Sequence, residues 1–159
     1  MPARNWDRHS STVWDVANII ELIGLVLGFL GVGRMSTHTQ FVGLLGFLLL
    51  LFGIAIRGAA IRTLGKLFTG VVLVQREHQL IRHGVYRYVR HPSYTGAIIA
   101  HLGLGLSFSS WISLALSTLP YLVAAAYRIH VEEYALRQAF GEEYVAYSKE
   151  TWRLIPGLY

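Results

Sequence analysis

Four apolar runs, at about 13–33, 41–61, 93–109 and 111–128, constrain this chain more than anything else in it. About 20 apolar residues carry a helix across the hydrocarbon of a bilayer, and within lipid each backbone N–H and C=O needs a partner inside its own segment or barrel. Runs of this length therefore predict an all-α integral membrane protein with about four transmembrane helices. Mean hydropathy of +0.44, with 53% hydrophobic and only 14% charged residues, agrees. The 159 residues make one membrane domain by length.

The first run carries Asp15, Asn18 and Glu21 at intervals of three, which predicts one polar face turned into the bundle. Gly24, Gly28 and Gly31 allow close helix contact. Glu21 is either a pocket-lining carboxylate or a polar residue paired within the protein. The third and fourth runs are separated only by 107–110, so they predict an antiparallel helix hairpin. Pro92 suits the first turn of its first helix, where a missing N–H costs nothing, and Pro120 predicts a kink in the second. His101, alone in the third run, is better suited to a helix contact than to catalysis. Gly96, Gly103 and Gly105 of the hairpin leave room either for close packing or for a groove through which an apolar substrate enters from lipid.

Charge gives a topology. Of 14 Lys and Arg residues, only Arg34 falls on one side of a four-span arrangement. The positive-inside rule then makes the other side cytoplasmic, with both termini and the two long polar segments, 62–92 and 128–159, on it. Met1 to Ser11, with Arg4 and Arg8, reads as a retained tail. The net charge of +5 clusters beside apolar segments, so anionic lipid headgroups, not nucleic acid, are the expected counter-charge. With no cysteine, disulfides and thiol catalysis are excluded.

Between the two apolar halves lies His78–Gly96, HQLIRHGVYRYVRHPSYTG, rich in arginine, histidine and tyrosine. Such a segment is costly near lipid unless it lines a cavity, so it is either most of a ligand site at the membrane surface or a solvated basic loop. Downstream, Arg128 and Glu132 stand four apart on a helix leaving the last run, with Glu133 beside them.

The order of these residues resembles the integral-membrane methyltransferases, a superfamily that includes the isoprenylcysteine carboxyl methyltransferases and the phospholipid methyltransferases. The resemblance rests on Gly84-Val85-Tyr86, on Arg90-His91-Pro92-Ser93-Tyr94-Thr95-Gly96, on Arg128 with Glu132-Glu133, on Phe140-Gly141-Glu142-Glu143-Tyr144 with Tyr147, on Leu154-Ile155-Pro156 and, upstream, on 62–65. It covers roughly residues 62–156, the expected catalytic core. It implies methyl transfer from S-adenosyl-L-methionine to an amphiphilic or lipid-like small molecule. It implies a cofactor site formed by His78, Leu80, Gly84, Tyr86, His91, Pro92 and Tyr94 together with Glu132 and Glu133, whose carboxylates would take the cofactor's ammonium or ribose hydroxyls. It also points to Arg90 and His91 as catalytic, with Arg90 pairing a glutamate, the cofactor carboxylate or an acidic substrate. No metal is required. The steroid reductases, which use a nicotinamide cofactor, show a similar RHPxYxG element, often with Asn in place of Ser93; the Glu132-Glu133 pair favours the methyltransferases. A non-catalytic scaffold that binds lipid or a partner helix is the third reading. Prenylcysteine, a thiol, a phospholipid amine and another lipid all stay open as acceptor.

Overall fold

A computed structural model describes residues 10–36, 39–68 and 80–158. The described residues form helices and turns and no strand. The helices are α1 (Ser10–Phe29), α2 (Thr39–Leu64), α3 (Pro92–Ser107), α4 (Trp111–Phe140) and α5 (Glu142–Glu150), with short 3-10 turns at Gly65–Leu67 and Gly84–Arg87. The tail 1–9, His78 and most of the 62–79 stretch lie outside the described residues.

Among the described residues, three helical segments are long and apolar enough to cross a membrane: Thr12–Phe29, Thr39–Leu67 and Trp111–Phe140. α3 has 16 residues, roughly 24 Å at about 1.5 Å per residue, against a hydrocarbon core of about 30 Å. It nevertheless forms the expected hairpin with α4, beginning at Pro92 as the ring's fixed φ favours. α4 does not stop near Arg128; it runs on without interruption to Phe140, through Pro120, and ends where Gly141 takes a positive φ of 51°. This continuation carries Glu132 and Glu133.

The helices pack as two close pairs, α2 on α3 and α1 on α4, joined through α3 and α4. Lipid tails are as apolar as leucine, so packing area and polar bonds must replace the hydrophobic effect. Glycine supplies the packing. A Cβ on Gly96 would lie 2.5 Å from the Arg57 backbone nitrogen, and one on Gly103 would strike the Leu50 nitrogen; Gly46 and Gly53 face back from α2 in the same way. Gly96 and Gly103 are thus backbone contact points of α2, not the wall of a groove open to lipid.

On α1 the inward residues are Trp14, Ala17, Glu21, Gly24 and Gly28, a stripe advancing by three and four. Ala17 is buried, Gly24 and Gly28 abut Leu116 and Ser113 of α4, Trp14 meets Tyr121, and Glu21 meets His101. Asp15 and Asn18 are exposed. The expected polar face fails because a spacing of three drifts around a helix of 3.6 residues per turn, and only Glu21 falls on the buried stripe. Gly31 has nothing near it and serves a turn at φ 79°.

The α1–α2 connector is bonded to the α3–α4 connector. Met35 N–H donates to the Ser109 carbonyl (2.8 Å), Trp111 N–H to that of Gly33 (3.0 Å), and the Ser110 hydroxyl to that of Val32 (2.7 Å). Ser110 also caps α4 by accepting from Ser113 N–H. Both connectors therefore share one end of the bundle, and the polar segments collect at the other.

Candidate active site

At that polar end, the central stretch and the C-terminal tail are knitted together. Trp152 N–H donates to the Tyr88 carbonyl (3.0 Å), Arg90 N–H to that of Trp152 (2.8 Å) and His91 N–H to that of Arg153 (3.1 Å). The Thr95 hydroxyl donates to the Leu154 carbonyl at 2.7 Å. From α5, the buried Tyr147 hydroxyl donates to the Tyr86 carbonyl at 2.7 Å, and burial pushes its pKa up to about 12, so it keeps the donated proton. Gly84 opens the 3-10 turn at φ 61°, a left-handed position that suits glycine, and a Cβ there would press on the Thr63 side chain.

Glu133 is the buried charge of this end, 6% exposed. Arg153 grips it with two bonds, Nε to Oε1 at 3.0 Å and Nη2 to Oε2 at 2.9 Å. His91 Nε2 lies 3.3 Å from Oε1, and Arg90 Nε donates to the same oxygen at 3.4 Å. A buried carboxylate survives only when paired and hydrogen-bonded, and this one has three partners. Arg90 spends its other nitrogen on main chain: Nη1 donates to the carbonyls of Ser148 (2.7 Å) and Thr151. It ties α4, α5 and the tail into one body.

Glu132 leads elsewhere. Neighbours on a helix point about 100° apart, and the Glu132 carboxylate accepts from the Tyr94 hydroxyl at 3.0 Å. Both residues are half-buried. Around this couple stand Tyr86, whose hydroxyl burial and the nearby Glu132 charge hold well above its ordinary pKa, and Arg57, which donates to the Ser93 carbonyl and hydroxyl, each at 3.2 Å. Arg128 is electrostatically close to Tyr94. Tyr144 on α5 is 1% exposed, and its hydroxyl has no hydrogen-bond partner among the described residues, although Glu133, Arg90 and Glu132 all act on it electrostatically.

A cavity of about 380 Å³ lies beside the hairpin. Ile98, Leu122, Ala125 and Ile129 give it apolar walls, and His130, Glu133 and Arg153 are its polar lining. It is the kind of space, apolar with a few convergent polar groups, in which small molecules bind.

The structure thus brings Leu80, Gly84, Tyr86, Arg90, His91, Pro92, Tyr94, Glu132 and Glu133 to one end of the bundle. It separates the two glutamates into different environments. Residues that sequence reasoning missed are Arg153, which neutralises Glu133, and Arg57 with Ser93. A buried carboxylate next to a membrane exit demands more cation than one nearby arginine, and the tail's Arg153 was the signal available for it.

Comparison with known proteins bears on the family and the fold. Residues 44–138 match the isoprenylcysteine carboxyl methyltransferase (ICMT) family. A probable protein-S-isoprenylcysteine O-methyltransferase of Oryza sativa subsp. indica is 37% identical over 118 residues, which is 73% of this chain and 62% of the rice protein. Protein-S-isoprenylcysteine O-methyltransferase A of Arabidopsis thaliana is 36% identical over 70% of this chain and 57% of its own length. The solved structure of a eukaryotic intramembrane Ras methyltransferase superposes with a TM-score of 0.75 at 25% identity, covering 91% of this chain and 52% of that one. The chain thus spans only a little over half the length of several of these relatives. A match over more than half of this chain, with the same helical fold, decides the family: the chain belongs to the isoprenylcysteine carboxyl methyltransferase family.

Proposed function

We propose that this chain transfers a methyl group from S-adenosyl-L-methionine to the carboxylate of a prenylated cysteine, presented at the membrane by a lipidated protein. The relatives' names carry the acceptor class; the expectation of a lipophilic small molecule narrows to the lipidated end of a protein. The observation that supports a ligand site most is the Tyr94–Glu132 couple, a half-buried carboxylate left outside the Glu133 ion cluster.

The residues suit such a cofactor. It carries an ammonium, ribose hydroxyls and a purine, and the site offers a carboxylate, tyrosine hydroxyls and the buried, unpartnered hydroxyl of Tyr144. When bound, it supplies a methyl group already activated on a sulfonium. Glu132 takes the ammonium or a ribose hydroxyl, and Tyr94 fixes the Glu132 rotamer. Leu80, Gly84, Tyr86, His91 and Pro92 shape the rest of the pocket; His78, also expected there, lies outside the described residues. Glu133, Arg90 and Arg153 hold the pocket's frame; Arg90 is a positioning residue in this reading, because its guanidinium is committed to Glu133 and two carbonyls. A carboxylate acceptor needs no general base, so the protein's work is to hold the reactants in line and exclude water. The apolar cavity by Ile98 and Leu122 has the character to receive a hydrocarbon chain.

In the membrane, α1, α2 and α4 span, α3 serves as a short fourth span paired with α2, and the termini and the site face the cytoplasm, with residues 62–156 as the catalytic core. The test is methyl transfer from labelled S-adenosyl-L-methionine by the protein in lipid nanodiscs. N-acetyl-S-farnesylcysteine should become a base-labile methyl ester. Label appearing only in phosphatidylethanolamine, or in neither acceptor, would refute the acceptor.

A further inference from the structure

Outside the site, among the described residues, a half-buried pair of titratable groups lies within the helical bundle. Glu21 of α1 and His101 of α3 approach to 2.7 Å through Oε1 and Nδ1. An ionisable pair on apolar helices is expensive, and helices in lipid gain nothing from apolar contact that lipid does not also offer. The pair therefore has a specific job, and its neighbours indicate which.

The His101 ring stacks on Tyr121 of α4, with centroids 3.8 Å apart and planes 24° apart. Trp14 of α1 meets the same tyrosine edge-on at 4.9 Å. Tyr121 is 5% exposed and forms a buried cluster with Ala97 and Ala125, and against that cluster packs Tyr94. The Tyr94 hydroxyl in turn donates to Glu132. A hydrogen bond and a ring stack lead from Glu21 through His101 to Tyr121; Tyr94 packs on the Tyr121 cluster, with Tyr121 electrostatically close to it, and bonds Glu132. Aromatic rings hold such geometry with few rotatable bonds. α1 lies outside the residues matched by the family, which begin at residue 44.

We infer that Glu21 and His101 are positioning residues: α1 braces the Tyr121 ring through them, and Tyr121 holds Tyr94 at the angle from which it bonds Glu132. The role of Tyr94 and Glu132 in cofactor binding rests on the function proposed above; the bracing itself does not.

The test reads both levels. 3-Fluorotyrosine placed at position 94 reports the surroundings of that ring by ¹⁹F resonance in nanodiscs, and S-adenosylhomocysteine titration reports the site. Glu21→Leu removes the hydrogen-bond partner of His101, and Glu21→Gln restores one. His101→Gln keeps a donor for Glu21 but removes the stacked ring. Ser113→Ala removes a different α1–α4 bond, the one from Ser113 to the Gly24 carbonyl at 2.8 Å, and controls for loose docking of α1. Glu21→Leu and His101→Gln should both move or broaden the position-94 resonance and weaken S-adenosylhomocysteine about fivefold, the size of one lost hydrogen bond in the first and of one lost aromatic contact in the second. Glu21→Gln and Ser113→Ala should leave both readouts near wild type. If Glu21→Leu does not fold, His101→Gln decides alone. An unchanged resonance in His101→Gln, or equal losses in Ser113→Ala and Glu21→Leu, overturns the inference. A wild-type protein that binds no S-adenosylhomocysteine refutes the cofactor reading, while the resonance still decides the brace.

Discussion

Arg153 holds Glu133 by two parallel hydrogen bonds across 20 residues of chain, and that grip fixes the C-terminal tail on the end of α4. Arg90 and His91 reach the same carboxylate from the central stretch. Three segments distant in sequence meet on one buried charge, so the cluster is a keystone of the polar end.

Breaking it should therefore destabilise before it inactivates. Removing one partner of a buried pair costs roughly 3–5 kcal/mol because a charge is left uncompensated. Glu133→Gln, which removes the negative charge that Arg90 and Arg153 share, should lower the thermal unfolding midpoint in detergent by several degrees at least. Arg153→Lys should fall between wild type and Arg153→Ala, because an ammonium cannot make both parallel bonds. Equal midpoints for all of these variants would show that the cluster does not hold the polar end together.

Gly103 tests whether the hairpin glycines pack or admit substrate. A leucine there meets the α2 backbone at Leu50, and overpacking of that kind costs about 1–3 kcal/mol or more. Gly103→Leu should reduce stability, cofactor affinity and turnover of long- and short-chain acceptors together. Selective loss of long-chain turnover with stability intact would instead restore a role in lateral entry.

The bonded connectors make a topological prediction. Ser36 follows the connector end of the bundle, and Leu158 is exposed in the tail at the opposite end. The chain has no cysteine of its own, so Ser36→Cys and Leu158→Cys give clean single sites for an impermeant maleimide on sealed, oriented vesicles. The two should label from opposite sides. Labelling from the same side contradicts the arrangement.

Alkaline pH should loosen the tie between α5 and the central stretch. Burial raises Tyr147 from its ordinary 10.0 to about 12. The folded state holds this proton more tightly than the unfolded one, so the contribution is whole below pH 10 and is lost as pH rises toward 12. Unfolding midpoints between pH 9 and 11.5 should fall more steeply for wild type than for Tyr147→Phe. Parallel curves would remove Tyr147 from the account.

How much of this was legible in the sequence follows from the range of each interaction. The helices were, because hydropathy is local: the four runs reappear as α1 to α4. The ends were less so, since nothing in the composition near Arg128 says that α4 continues to Phe140. The inward stripe of α1 was misassigned at Asp15 and Asn18 and right at Glu21, where the deciding partner, His101, lies 80 residues away. The residues proposed for the site stand out in the sequence, in the central stretch and the double glutamate. The division of labour among them does not. For Arg90 a glutamate, the cofactor carboxylate and an acidic substrate all stayed open; it pairs with Glu133, and its further partners at Ser148 and Thr151 are carbonyls, which every residue carries and no sequence pattern marks.

The measurement that bears most directly on the proposed function is a titration of S-adenosylhomocysteine, beside NADPH, into purified wild-type protein and Glu132→Gln. Losing one charged hydrogen bond costs about 1.5–3 kcal/mol, roughly ten- to a hundredfold in affinity. Wild type should bind S-adenosylhomocysteine and not NADPH, and Glu132→Gln should bind it ten- to a hundredfold more weakly with an unchanged unfolding midpoint. Wild-type affinity in Glu132→Gln, or binding of NADPH in its place, would contradict the account.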